Sequence, residues 1–187
     1  MRKPDFFIVG AGKAGTTSLY RYARQHPYIF LPKCKEPRFF VDDDFFSGVP
    51  PALSRHVRSL DEYLALFAPA PEHVVAGDAS PNYLSSPTAA ARIHEFRPDA
   101  LIVAILRDPA DRAYSHYCNH RRAGIEALSF EAAIAAETQR PPRFHYVEEG
   151  LYASHLLRYL DLFGEDSVAV FFTEDLRHDP AALCRRL

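Results

Sequence analysis

Between residues 8 and 19 the chain reads IVGAGKAGTTSL. An apolar run ends, glycines follow, and hydroxyl side chains open a helix-forming stretch. A strand that feeds a glycine loop into a helix aims unpaired amides and the positive end of the helix dipole at one point. Glycine also lets the backbone approach a ligand closely. Lys13 adds a full positive charge, and Thr16, Thr17 and Ser18 add hydroxyl donors. The chemistry is anion binding, with Gly12, Lys13, Ala14, Gly15, Thr16, Thr17 and Ser18 as the cradle. Two familiar loops do not fit. The triphosphate loop G-x-x-x-x-G-K-[ST] needs a lysine after its second glycine; Gly10 and Gly15 are correctly spaced, but Thr16 stands there. The dinucleotide pattern G-x-G-x-x-G fits Gly10, Gly12 and Gly15, yet the acidic residue expected about 20 positions on is missing. The plain alternative is a tight strand–helix turn with no ligand.

The elements that must position this loop follow from periodicity. Residues 5–10 read as a buried strand, and 16–26 as a helix with Leu19, Tyr22 and Ala23 on one side. Residues 27–32 are a short extended piece between prolines, and 33–59 are irregular. A helix at about 60–68 is capped by Ser59 or Asp61. Residues 73–77 are a second strand. Residues 86–96 form a helix with Ser86 as cap and Pro87 in its first turn. ALIVAIL (100–106) is a continuous apolar run, as in a parallel strand covered on both faces. Helices at 108–122 and 129–137 precede a loop at 138–150. A helix at 151–164 stops at Gly164, a strand occupies 167–172, and DPAALCRRL begins one more helix. Alternating strands and helices predict a three-layer α/β/α domain with a mainly parallel central sheet, spanning residues 1–187 as one domain.

The bulk properties narrow the partners. The 187 residues are 48% hydrophobic, enough for a full core, and the formal charge is −2. That charge gives no general attraction to nucleic acid or acidic membrane. No apolar run reaches the roughly 20 residues of a membrane span, and the N-terminus lacks the apolar stretch of a signal peptide. Three cysteines without paired spacing fit reduced thiols in a cytoplasm. Nothing in the spacing of Cys, His and carboxylates forms a metal motif. His116 and His120, four apart, share a helix face and have an ordinary pKa suited to base work near neutrality.

GKAGTTSL (12–19) resembles the 5′-phosphosulfate loop, K-x-G-T-[ST], of sulfotransferases that use 3′-phosphoadenosine 5′-phosphosulfate (PAPS). AILRDPADRAYSHY (104–117) is similar to that family's 3′-phosphate motif, with Arg107 at its arginine and Ser115 at the serine eight residues on. KEPRFF (35–40), GDASPNYL (77–84), GLYASHLLRYLDLFG (150–164) and VFFTEDLRHDP (170–180) also look family-like, in order along the chain. The flavour is that of the bacterial and heparan-type branch. The resemblance implies a P-loop-like sulfotransferase fold and transfer of a sulfuryl group from PAPS to a hydroxyl or amine, without a metal. A guanidinium at a strand end clamps phosphate with two parallel bonds, and Ser115 donates a third.

The resemblance also places a base at Glu36, ahead of Phe39-Phe40, with His116 and His120 as rivals. Asp78 orients a base or the acceptor, or caps its turn. Ala79 stands where heparan-type enzymes carry lysine, as in bacterial relatives, which weakens a heparan acceptor but not the family. Relatives continue into a basic, glycine-containing loop that closes over the 3′-phosphate and adenine. Its lack here implies a C-terminally truncated chain that is weak or inactive alone. Residues 38–60 and 138–150 are the expected acceptor-facing loops, for a small molecule, lipid or carbohydrate, with ordinary loop packing as the alternative for their side chains. The first carries Phe39, Phe40, Phe45, Phe46 and Asp42 to Asp44; the second carries Arg140, Arg143 and His145. Two other readings stand beside this one: a P-loop-type kinase and a non-catalytic nucleotide-binding or interaction module.

Overall fold

A computed structural model describes residues 2–42 and 56–185. Five strands form one parallel sheet: β1 (Phe6–Gly10), β2 (Ile29–Phe30), β3 (Val75–Ala79), β4 (Leu101–Leu106) and β5 (Val168–Phe172), in the order β2-β3-β1-β4-β5. β1 lies at the centre, pairing Phe6 with Gly77 on one side and with Leu101 on the other.

Alternation along the strands divides the core in two. Phe7 and Val9 of β1, with Ile102 and Ala104 of β4, pack under α3 (Ala89–Phe96) and α6 (Tyr152–Phe163). Phe6 and Ile8, with Val103 and Ile105, pack under α1 (Thr16–Ala23), α7 (Thr173–His178) and α8 (Pro180–Cys184). Both faces are covered, so the strands read as unbroken apolar runs, and the three-layer expectation holds. α2 (Leu60–Ala65) adds Tyr63 to the first core. α4 (Pro109–Arg122) and α5 (Phe130–Ala135) make a smaller third cluster around Ala113, Ala133, Phe144 and Tyr146.

Several boundaries differ from the sequence reading. α1 ends at Ala23, and Tyr22 is exposed while Tyr20 is buried, its hydroxyl donating to Pro32 O at 2.7 Å. α3 starts at Ala89 rather than Ser86; the Ser86 hydroxyl still caps it, accepting from Ala89 N at 3.2 Å. β3 runs two residues later than expected. α7 was not foreseen, and the 138–150 loop contains short 3₁₀ turns at Pro142–Phe144 and Glu148–Gly150.

Candidate active site

The loop after β1 and the turn after β4 are neighbours because their strands are paired. Ala11 N donates to Ile105 O at 2.7 Å. Thr173, at the end of β5, ties the arrangement down: its hydroxyl lies 2.6 Å from Ala14 O and 2.9 Å from Leu106 O. Ligands in open α/β sheets sit at this carboxyl edge of the strands. Here a cleft of about 900 Å³ opens, lined by Gly12, Lys13, Gly15, Thr16, Thr17 and Ser18 on one side and by Arg107 and Ser115 on another. Glu36, His116, His120 and Glu149 also reach it.

The loop is built for an anion. Gly15 has φ +99°, and a Cβ there would stand 3.1 Å from Leu176 Cδ2, so only glycine fits comfortably. Among the described residues, the amides of Gly12, Lys13, Gly15, Thr16 and Thr17 have no protein acceptor. Lys13 forms no ion pair there. Burial, then Arg122, pushes its pKa down, with Arg107 and Lys35 adding to the effect and Glu36 opposing it. A cationic hollow in a chain of net charge −2 is a local device. Ala14 is the exception among the expected cradle residues. It is fully buried behind the loop, its carbonyl taken by Thr173, so it shapes the cradle without facing the cleft.

Asp108 caps α4, its carboxylate accepting from Asp111 N at 2.9 Å, with Pro109 in the first turn. This holds Arg107 at the strand end. One Arg107 nitrogen bonds Asp111 at 2.9 Å, while Nε is buried without a partner. The Ser115 hydroxyl, two turns on, has no protein partner among the described residues. Two cationic groups on adjacent strand ends, each with unspent donors, therefore line one cleft.

Lys13, Glu36 and Arg38 have φ of 69°, 60° and 56°. Non-glycine residues in this region are uncommon and gather at functional sites. Glu36 is ion-paired to both Lys35 and Arg38. Burial alone would raise its pKa, but these two cations outweigh that and hold it below the usual carboxylate range. The segment is pinned by Glu36 N to Ala79 O at 3.1 Å and by Arg38 N to Ser80 Oγ at 3.1 Å. Asp78 is buried beneath it. It accepts from Ser80 Oγ, Tyr63 OH and Tyr83 OH, each at 2.8 Å, and touches neither Glu36 nor the cleft. It therefore braces the segment that carries Glu36.

The two histidines meet as their spacing requires, Nε2 to Nε2 at 3.2 Å. Their pKa values are not ordinary. Burial, and then the neighbouring His120, pushes His116 well down; burial, and then Arg143, brings His120 to about 4. Both rings are neutral at pH 7. His120 Nδ1 continues to Tyr146 OH at 3.0 Å, and Tyr146 OH donates to Glu126 at 2.8 Å. Burial would raise the pKa of Glu126, yet Arg140 at 2.8 Å, Leu128 N and Tyr146 together bring it to about 2. A native carboxylate below its unfolded value of about 4.3 stabilises the fold above that pH and loses the contribution as pH falls toward 2. Thermal melts of Glu126→Gln should show a flatter acid limb than the parent between these limits. The difference at neutral pH should reach about 3 kcal/mol.

Spacing gave no sign of two residues. Arg112, wholly buried on α4, donates from Nη1 to Glu149 Oε2 at 2.9 Å and from Nη2 to Tyr146 O. Glu149 faces Gly12 across the cleft wall. Of the expected acceptor residues, Phe40 is in the core and Phe39 stacks on Tyr63 at 4.6 Å. Phe45, Phe46, Asp43 and Asp44 lie outside the described residues. Asp42 pairs with Arg92, Arg140 with Glu126, and only Arg143 of the later set lines the cleft. His145 and Glu148 bond one another, and Glu137 accepts from Val147 N and Glu148 N at 2.8 Å, so this cluster staples the loop.

Comparison with known proteins identifies the family and the fold. The sulfotransferase domain family matches residues 3–187. Human bifunctional heparan sulfate N-deacetylase/N-sulfotransferase 3 is 33% identical over 193 residues, covering 97% of this chain and 21% of that protein. The mouse type 4 enzyme of the same name is 30% identical over 191 residues, again with 21% of its length covered. The chain thus spans about a fifth of these relatives. A crystal structure of a sulfotransferase from Alicyclobacillus acidocaldarius superposes with TM-score 0.89 at 38% identity, over all of this chain and 79% of that one. The sulfotransferase domain of the Synechococcus olefin synthase, at 18% identity and TM-score 0.67, shares the fold.

Proposed function

Because the chain belongs to the sulfotransferase domain family, we propose that it transfers the sulfuryl group of PAPS to a hydroxyl or amine. We also take residues 1–187 as one catalytic domain. The supporting observation is the pair of anchors on adjacent strand ends, Lys13 with five unspent loop amides and Arg107 with Ser115, lining one cleft.

In this reading the loop amides, Lys13, Thr16, Thr17 and Ser18 hold the 5′-phosphosulfate, and Arg107 and Ser115 hold the 3′-phosphate. Sulfuryl transfer resembles phosphoryl transfer, in which positioning and charge stabilisation dominate. The bond from sulfur to the bridging phosphate oxygen breaks as the acceptor's bond forms, and charge develops on the leaving phosphate. Lys13 stabilises that charge. These donors supply the positive charge, so the proposed chemistry calls on no metal. Glu36 is the proposed base once an incoming acceptor loosens its ion pairs, and His116 is the rival. The acceptor is a small molecule, lipid or carbohydrate. The unpaired cysteines, with Cys34 exposed, support a reducing cytoplasm. Among the described residues no helix is long and apolar enough to cross a membrane.

Calorimetric titration with 3′,5′-adenosine bisphosphate and with ATP tests the reading. The bisphosphate should bind and ATP should not compete well. Arg107→Ala should weaken the bisphosphate by about 10- to 100-fold, the worth of one charge-assisted contact, and leave adenosine 5′-monophosphate unaffected. Equal loss for both ligands, or tighter ATP binding, would contradict it.

A further inference from the structure

Glu149 is an acidic group in a wall otherwise built for anions. Its Oε2 accepts from Arg112 and lies 3.4 Å from His116 Nδ1, without the alignment of a hydrogen bond. The same oxygen lies 3.9 Å from the place a Cβ would occupy on Gly12. The other oxygen, Oε1, has no protein partner among the described residues, and Glu149 lines the cleft. An ionised carboxylate there would repel a phosphosulfate held by Lys13 and the loop amides. A neutral carboxyl would instead present a donor toward it while Oε2 keeps its bond from Arg112.

The geometry points to Glu149 as a donor-binding residue that takes up one proton when the PAPS end carrying the 5′-phosphosulfate docks, and then donates a hydrogen bond to it. This rests on the sulfotransferase reading and adds a residue to it. In the binding step a solvent proton joins the carboxylate. In the transfer step that proton stays on Glu149, while the electron pair of the broken sulfur–oxygen bond goes to the leaving phosphate and the acceptor's proton goes to the base.

The surroundings favour this. Burial raises the pKa of Glu149 to about 7 although Arg112 opposes it, His145 also opposes it, and Glu137 adds to the rise. From α4 it faces Arg112 and His116, from the preceding loop Glu137 and His145, and from α6 Tyr152. Lys13 acts on the same corner through His116. His116 is neutral, so it brings no charge that would favour the carboxylate. An arriving anion raises the pKa further, since like charges disfavour ionisation.

The test is titration of 3′,5′-adenosine bisphosphate at pH 8 in two buffers of different ionisation enthalpy, which counts protons taken up. The parent protein should take up close to one proton, and its affinity should fall by up to about tenfold per pH unit above 7. Glu149→Gln should take up none and bind with nearly pH-independent affinity. A carboxylic acid C=O band should appear in the infrared difference spectrum of the parent complex and vanish in the variant. Zero uptake by the parent, or the same uptake in the variant, overturns the assignment. Should Glu149→Gln not fold, absence of the infrared band from the parent complex overturns it equally. Failure of the parent to bind the bisphosphate at any pH is a different result, and it rejects the sulfotransferase reading itself.

Discussion

In Lys13→Ala, kcat for transfer of labelled sulfate from PAPS falls by about 100- to 1,000-fold, the usual loss for removing one donor aimed at developing charge. In the proposed binding mode the ground-state cost is smaller, about tenfold in affinity for the bisphosphate, because five loop amides and three hydroxyls would still hold the phosphosulfate end. The asymmetry follows from where the charge grows. The bridging oxygen gains its negative charge only as the sulfur bond breaks, and in the proposed binding mode that end lies against the loop that carries Lys13. Its own environment amplifies the effect. Burial and the nearby cations Arg122, Arg107 and Lys35 already press its ammonium toward neutrality, so an incoming anion relieves an existing tension. Position 13 is held at φ 69°, which lysine and alanine tolerate about equally, so the substitution should leave the fold unchanged by circular dichroism. A kcat within threefold of the parent would remove Lys13 from the chemistry.

The second large effect is on stability. Asp78→Ala leaves the buried hydroxyls of Tyr63, Tyr83 and Ser80 without their shared acceptor. Each orphaned donor costs about 1–3 kcal/mol, and partial relaxation brings the total to about 4 kcal/mol. For 187 residues that corresponds to a fall of about 10 °C in Tm. Activity should suffer beyond the loss of folded protein, since Ser80 also accepts from Arg38 N and so fixes the segment that presents Glu36. Asp78→Asn, which keeps one acceptor oxygen, should recover part of both. A Tm unchanged within 2 °C in Asp78→Ala would show that the three hydroxyls find other partners.

Much of this architecture was legible in local sequence because local physics dictates it. ALIVAIL, short and bounded, reads as a strand covered on both faces, and Asp108-Pro109 carries the cap and first-turn proline of a helix start. The strand–loop–helix around 12–18 was legible for the same reason, and its glycines, lysine and hydroxyls do line one cleft. The elements that escaped depend on distant partners. α7 is six residues long and has no room for a periodic signal; it is helical because Leu176 packs into the second core and Thr173 bolts to the loop. Arg112 and Glu149 meet across 37 residues, and no spacing in either segment announces the pair. For the aromatic run at 39–40 the sequence left pocket lining and ordinary packing both open; packing holds, since Phe40 completes a core with α2, α3 and β1. The ordinary pKa expected for His116 and His120 failed on burial, which no helical wheel reveals.

The central position of β1, hydrogen-bonded to β4, has an evolutionary corollary. If Lys13 and Arg107 grip the two ends of the donor as proposed, the span between them is set by the separation of the paired strands β1 and β4. Recognition of the donor would then rest on the packed sheet rather than on a loop. The walls expected to meet the acceptor are turns and irregular segments, whose length and chemistry the sheet does not fix. A scaffold divided this way can acquire new acceptors by drift while its currency stays the same.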